Sequence, residues 1–272
     1  MYISPLNLPH AVPRVILFDW HATLVDTHDA MYHAIDEILP RLRDLGLYER
    51  MISIKQSRTL EDAKLVQYVR KHGQLHPKVR KARKVSRTDI FEVLFGHDQE
   101  AKDMAHRAFD AAYRTHCGEV TPLEPDVLKT MEHLREMEVR LGLLSNRNRE
   151  FVEQEIEALG ENGWRESFDT MVCGDDVPRR KPHPDQIQAA LSRLGEQAGL
   201  HCWYVGDSTT DVAAACKAKI TAVFYNGANW KQDWIDRIFP GTVSYPHRPH
   251  AVVANLHELL HQVRILKYAV SE

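Results

Sequence analysis

No two of the four cysteines stand at C-x-x-C spacing, and Cys117, Cys173, Cys202 and Cys216 follow no regular interval. The signatures of a redox pair and of a disulfide framework are therefore missing, and nothing requires an oxidising compartment. Cys173 and Cys202 lie in apolar runs and are expected to be small buried hydrophobes. The opening stretch MYISPLNLPHAVPRV lacks a basic start followed by an apolar signal core. No apolar run approaches the roughly 20 residues that span a bilayer. A cytoplasmic protein with no membrane segment is the expectation. Glycine and proline (13 each) are not in excess, no repeat or low-complexity tract is visible, and a formal net charge of −3 points to no class of partner.

What is present is an ordinary globular composition, 43% hydrophobic and 27% charged, in 272 residues. That length holds one large domain, or a core and a smaller domain. Five short apolar runs stand out: Val15–Asp19, Arg140–Ser145, Thr170–Cys173, Cys202–Gly206 and Ile220–Tyr225. Their apolar character is continuous rather than alternating, which predicts strands buried on both faces of a parallel sheet. Helical patterns at Arg149–Leu159, Pro184–Leu194 and Thr210–Lys217 separate the last four. Strand and helix in alternation predict a doubly wound α/β core. Ala251–Leu266, with Val252, Val253, Leu256, Leu259, Leu260 and Val263 in helical register, is read as a closing helix.

One stretch breaks the rhythm. From Asp26 to Glu124 no strand is evident, only amphipathic patterns such as Met31–Leu42, Leu60–Lys71 and Ala101–Tyr113. This is too long for one crossover. It predicts an all-helical domain over 26–124 inserted into a core made of 1–25 and 125–272, with Thr121-Pro122-Leu123-Glu124-Pro125 marking the return.

Chemistry in such a core belongs at the C-terminal ends of the strands. The first strand runs out in Asp19-Trp20-His21-Ala22-Thr23, the second in Ser145-Asn146, and the fourth in Gly206-Asp207-Ser208-Thr209-Thr210-Asp211. Lys181-Pro182 follows the third by a short loop. Singly, each is an ordinary turn, cap or surface charge. Together they put a carboxylate, a hydroxyl, a cation and two more carboxylates on one rim. Attack on a dianionic phosphoryl group needs that set: a nucleophile, donors to the oxygens, a lysine, and acids for a divalent cation.

At these residues the chain resembles the haloacid dehalogenase (HAD) superfamily, in its phosphoglycolate phosphatase and phosphonatase-like branch. FDWHATLVD is similar to the first signature of that family, LLSN to the second, RRKPHPD to the third and GDSTTD to the fourth, in order and spacing. The helical insert resembles the mobile cap that closes over the site in that family. The resemblance implies a Rossmann-like core with a helical cap, and Mg²⁺-dependent hydrolysis of a small phosphorylated metabolite. It implies Asp19 as a nucleophile that is transiently phosphorylated, Thr23 orienting its loop, and Ser145, Asn146 and Lys181 as the groups that bind substrate. The metal would be held by Asp19, the His21 carbonyl, Asp207 and Asp211. Asp175 and Asp176 are off-motif and read as a structural turn.

The departure is His21, where phosphatases of the family carry the general-acid Asp. Either imidazole takes over the acid/base task, or the residue marks altered or lost phosphatase chemistry. Two alternatives follow. One is C–P bond hydrolysis through Lys55, with Arg58 standing where that pattern has His. The other is a non-catalytic relative that binds a phosphorylated ligand.

Arg70, Lys71, Lys78, Arg80, Lys81, Arg83, Lys84 and Arg87 form a basic run inside the insert, with His72 and His76 between them. It reads as a solvated helical face, with a funnel for anions as the functional alternative. Only Tyr68 and Phe91 flank it, so nucleic acid is not an expected partner. The remaining histidines show no metal-ligand spacing. Trp230, Trp234 and Phe239 read as packing of a terminal excursion. Substrate identity and oligomeric state are not legible.

Overall fold

A computed structural model describes residues 11–57, 59–82, 85, 87–160, 163–243 and 245–269. The chain divides into two compact units, Met1–Asp26 with Thr121–Glu272, and Thr27–Val120.

The first unit is built around β1 (Val15–Asp19), buried at every position. It pairs in parallel with β4 (Arg140–Leu144) on one edge and β6 (Cys202–Gly206) on the other. Beyond β4 lies β5 (Thr170–Val172), and beyond β6 lie β7 (Thr221–Tyr225) and β8 (Ala251–Val253), giving the order β5-β4-β1-β6-β7-β8. Six parallel strands with intervening helices agree with the α/β class expected from the continuous apolar runs. The helices are α6 (Val127–Glu136), α7 (Arg149–Ala158), α8 (Asp185–Leu194), α9 (Thr209–Lys217), α10 (Gln232–Ile238) and α11 (Leu256–Ala269). Alternate strand residues face opposite layers. Val15, Leu17, Tyr204 and Phe224 thus share a core with Ile187, Val212 and Ala215.

The segment read as one helix over Ala251–Leu266 divides in two. Ala251–Val253 adds to β7 as the edge strand β8, with the Val253 carbonyl accepting from the Asn226 N–H at 2.8 Å and the Ala222 carbonyl from the His250 N–H at 2.8 Å. Two adjacent β-branched valines suit a strand. The helix begins only at Leu256. Trp230 and Trp234 stack at 5.3 Å, while Phe239 is buried edge-on against Phe224 at 5.0 Å.

The second unit is helical: α1 (His28–Ile38), α2 (Leu60–His72), α3 (Pro77–Ala82), α4 (Arg87–Phe95) and α5 (Gln99–His116). The chain leaves the sheet through β2 (Val25–Asp26) and returns through β3 (Thr121–Pro122), which pair antiparallel. Helix α1 packs along α5, and Phe91, Phe109 and Tyr113 form its aromatic centre. Helix α2 starts at a Thr59–Asp62 capping box and stops at Gly73, whose φ of 62° suits glycine.

Much of the basic run is spent internally. Arg80 pairs with Asp36 and Arg87 with Asp110, each at 2.5 Å, and Arg70 donates to the Met51 carbonyl at 2.7 Å. Lys71, Lys78 and Lys81 are exposed, whereas Arg58, Arg83 and Lys84 lie outside the described residues. Among the described residues no helix is long and apolar enough to cross a membrane.

Phe239 and Trp234 sit on one short helical excursion but differ in burial, 4% against 41% exposed. Phe239→Ala is expected to lower unfolding stability by about 3 kcal/mol, as for a buried aromatic, and Trp234→Ala by less than about 1 kcal/mol. Urea denaturation of both variants measures the difference, and equal losses would contradict this packing.

Candidate active site

The strand register assembles the site. Asp19 is level with Leu144 and Phe18 with Val205, so Ser145 follows one step past β4, and Asp207 starts the turn past β6. Order reverses across β1 and β6, and the carboxyl ends at such a switch point open a crevice. Lys181 arrives from the loop between β5 and α8, and Asp211 from the first turn of α9.

Lys181 Nζ lies at the centre of the cluster. It donates to Asp19 Oδ1 at 2.6 Å and to the Tyr204 hydroxyl at 2.7 Å, and stands 2.8 Å from Asp211 Oδ1. Its side chain is 2% exposed. Burial alone would pull the ammonium pKa down, but Asp19 and Asp211 more than offset this and hold it above the ordinary lysine value. Tyr204 donates onward to Asp211 Oδ1 at 3.1 Å. Burial, with Asp211 and Asp19 adding negative charge, raises the phenol well above its usual range.

Asp19, Asp207 and Asp211 bring carboxylate oxygens within 4.8 Å of one another. Burial pushes the Asp19 carboxyl up to about 6 from 3.8; Lys181 opposes the rise and Asp211 adds to it. Asp207 is raised well above the usual carboxylate range, by burial first and then by Asp19 and Asp211. Three acids face one ammonium. The cluster is short of positive charge.

The second layer fixes these groups. Asn146 clamps the Lys181 backbone, accepting from its N–H at 2.9 Å and donating to its carbonyl at 3.0 Å. Asn146, expected among the groups that bind substrate, thus also orients Lys181. Asp211 closes a capping box with Ser208, whose N–H donates to Oδ2 at 3.0 Å. One aspartate thus caps α9 and holds Lys181. Gly206 is required beneath it, since an added Cβ would stand 2.5 Å from Asp211 Cγ. Ser145 Oγ accepts from the Arg147 N–H at 3.1 Å, which leaves its proton for another acceptor, and the buried Gln186 holds the Ser145 carbonyl at 2.6 Å. Thr23 is fully buried, and its hydroxyl finds no hydrogen-bond partner among the described residues.

His21 is half-buried in the tight loop that follows β1, next to Ala22 at a left-handed φ of 57°. Arg147 Nη2 lies 3.4 Å from His21 Nδ1. The same guanidinium pairs with Glu155, a fully buried acid that also accepts from the Trp20 indole at 2.6 Å. Trp20 meets Trp164 edge-on at 5.5 Å. Asp175 accepts from the Arg149 N–H at 2.8 Å and Asp176 pairs with Arg149 at 2.5 Å, so both pin the turn after β5. Lys55 is exposed on a 3₁₀ turn of the helical unit. Tyr204, Arg147, Glu155 and Gln186 carried no motif signal. A tyrosine inside an apolar strand and a glutamate on a buried helix face were the available hints.

With this geometry in place, comparison with known proteins is decisive on one point. Residues 16–225 match the family described as haloacid dehalogenase-like hydrolase. The chain belongs to that family. A phosphoglycolate phosphatase of Shigella boydii is 34% identical over 125 residues, 46% of this chain and 48% of that protein. The match therefore spans about half the length of that relative. A phosphoglycolate phosphatase of Xanthomonas campestris is 27% identical over 212 residues, 78% of this chain and 82% of that protein. A HAD family hydrolase from Deinococcus radiodurans, crystallised with phosphate and sodium, superposes with a TM-score of 0.56 at 18% identity, covering 94% of this chain and 97% of that one. Such a likeness shows the fold alone. The superfamily and the phosphatase-type hydrolase class expected from the sequence agree with these relatives.

The raised Asp19 pKa has a consequence for stability. The folded value of about 6 lies above the ordinary 3.8, so folded protein binds this proton more tightly than the unfolded chain. Ionising Asp19 without metal therefore costs stability, increasingly from about pH 4 to about pH 6 and constantly above. Metal-free Asp19→Asn is expected to gain stability relative to wild type across that window. Denaturation at pH 4 and pH 7 in chelator tests this, and a relative loss at pH 7 would contradict it.

Proposed function

We propose that the chain is a Mg²⁺-dependent phosphatase acting on a small phosphorylated metabolite through Asp19. The observation that carries it is Lys181 Nζ, held 2.6 Å from Asp19 and 2.8 Å from Asp211 beside Asp207. A lone ammonium leaves these acids with uncompensated charge, and their oxygens suit a hard divalent cation. Asp19, Asp207 and the His21 carbonyl would hold the ion directly. Both Asp211 oxygens already accept hydrogen bonds, from Tyr204 and from Ser208, so its reach to the ion would be through water. When bound, Mg²⁺ supplies charge neutralisation at the phosphoryl oxygens.

The remaining steps belong to the protein. An Asp19 oxygen bonds to phosphorus as the ester P–O bond breaks, giving an acyl phosphate on Asp19 and a leaving oxyanion that takes a proton. Water then attacks the acyl phosphate, releasing inorganic phosphate and restoring the carboxylate. Lys181 offsets charge throughout, and Ser145 Oγ donates its proton to a phosphoryl oxygen.

Arg147 changes the reading of His21. A guanidinium can only donate, so His21 Nδ1 accepts and the neutral imidazole carries its proton on Nε2. A neutral imidazole is a weak acid, and an efficient proton donor requires the imidazolium form. His21 thus orients the leaving oxygen but protonates it poorly, and substrates with weakly basic leaving groups are favoured. The phosphatase relatives make phosphoglycolate the first metabolite to test. Lys55, exposed to solvent, lacks the desolvation that activates a Schiff-base lysine, so nothing favours C–P hydrolysis.

The test is Mg²⁺-dependent phosphate release from alkyl phosphates, phosphoglycolate included, and from an aryl phosphate. Asp19→Asn is expected to lose on the order of 10³-fold or more. His21→Asp is expected to raise alkyl over aryl turnover by at least about tenfold, since a positioned general acid contributes roughly 10² to 10⁴. Wild-type turnover indifferent to Asp19→Asn would overturn the nucleophile. Wild-type silence with activity appearing in His21→Asp would favour a ligand-binding relative instead.

A further inference from the structure

A second group of metal-ligating side chains lies wholly within the helical unit. His33 is in the middle of α1, His116 ends α5, and Glu119 follows on the segment that leads into β3. Their ligand atoms all lie within 4.8 Å of one another. The Glu119 carboxylate stands between two imidazoles, its Oε2 at 2.7 Å from His33 Nδ1 and its Oε1 at 3.2 Å from His116 Nδ1. The two rings are 5.3 Å apart between centroids.

The outer contacts are those of a metal-binding histidine. His116 Nε2 is 2.6 Å from Glu37 Oε1, and Thr115 Oγ1 donates to the same oxygen at 3.4 Å. A ligating histidine characteristically gives its other ring N–H to a carboxylate, which fixes the tautomer and turns the remaining lone pair toward the metal. In the metal-free site His116 donates from Nδ1–H to Glu119 and from Nε2–H to Glu37; a metal would displace the Nδ1 proton and leave Nε2–H on Glu37. Tetrahedral zinc with bonds near 2.0–2.1 Å sets its ligand atoms about 3.4 Å apart, so small rotations of His33 and Glu119 would open the site. Two imidazole nitrogens and a carboxylate suit Zn²⁺ or a similar borderline ion, not Mg²⁺. The side chains of His33 and Glu119 are 43% and 41% exposed, which leaves entry and a fourth position to water.

We propose that His33, His116 and Glu119, oriented by Glu37, form a zinc-class metal site that ties α1 to the end of α5. It is separate from the carboxylate cluster around Asp19 and does not depend on the reading of that cluster. The ion would cross-link two helices at the segment where the chain returns to the sheet. The sequence hides it because α1 and α5 lie at opposite ends of the insert.

The experiment is equilibrium dialysis of full-length, chelator-stripped protein against Zn²⁺ in excess Mg²⁺, with thermal unfolding in parallel. Wild type and Asp207→Asn are expected to bind one equivalent and to unfold at higher temperature with Zn²⁺ present. His33→Ala and His116→Ala should lose that equivalent, and Glu37→Gln should bind 10- to 100-fold more weakly. Cobalt substitution adds a readout that a merely structural contact would not move. Visible d–d absorption present in wild type and Asp207→Asn, and absent in both histidine variants, supports the site even if those variants are less stable. Zinc uptake unchanged by His33→Ala and His116→Ala, or abolished by Asp207→Asn, overturns it.

Discussion

A buried ammonium needs negative partners, and a buried group of carboxylates needs a cation; the core of this protein is arranged around satisfying both at Lys181. Its Nζ touches Asp19, Tyr204 and Asp211 within 2.8 Å, almost without solvent. Isolated, any of these charges would carry a desolvation cost of several kcal/mol. Grouped, they hold one another ionised, though incompletely, as the raised Asp19 and Asp207 values show. The imbalance left over is what the proposed divalent cation would compensate.

That arrangement depends on parts which do no chemistry. Asn146 grips the Lys181 backbone at both its N–H and its carbonyl, linking the end of β4 to the loop between β5 and α8. Asp211 is a helix cap and a site acid at once, and Gly206 leaves room for it. On the other side of Asp19, the chain Trp20–Glu155–Arg147 reaches His21. It places the Glu155-paired guanidinium of Arg147 3.4 Å from the His21 ring. A change at His21 alone would therefore be judged against Arg147.

The helical unit follows a different logic. Its guanidinium groups are largely turned inward, Arg80 to Asp36, Arg87 to Asp110 and Arg70 to backbone carbonyls. A dense basic run in the sequence thus becomes a set of local ties, with Lys71, Lys78 and Lys81 left to solvent. The histidines that carry a distinct chemistry, His33 and His116, stand apart from that run.

The sequence alone determined the parallel sheet and the rim of the candidate site. Continuous apolar runs marked β1, β4, β5, β6 and β7, because strands buried on both faces cannot tolerate alternation. Asp19, Ser145, Asp207 and Asp211 were legible because they sit at strand ends or within a few residues of them, where short-range spacing reports position, and Lys181 through the Lys-Pro pair in the loop after β5. Edge strand β8 was misread as helix, since three residues show no periodicity and valine fits either pattern. Only the tertiary structure decided what depends on approach across the fold. Asn146 turns to Lys181 rather than outward, Tyr204 completes the cluster from inside a strand, and Glu155 joins Trp20 to Arg147. Glu119 comes between His33 and His116. Each is a contact between side chains far apart in sequence, and only the packing of strands and helices fixes which atoms come within 3 Å or so.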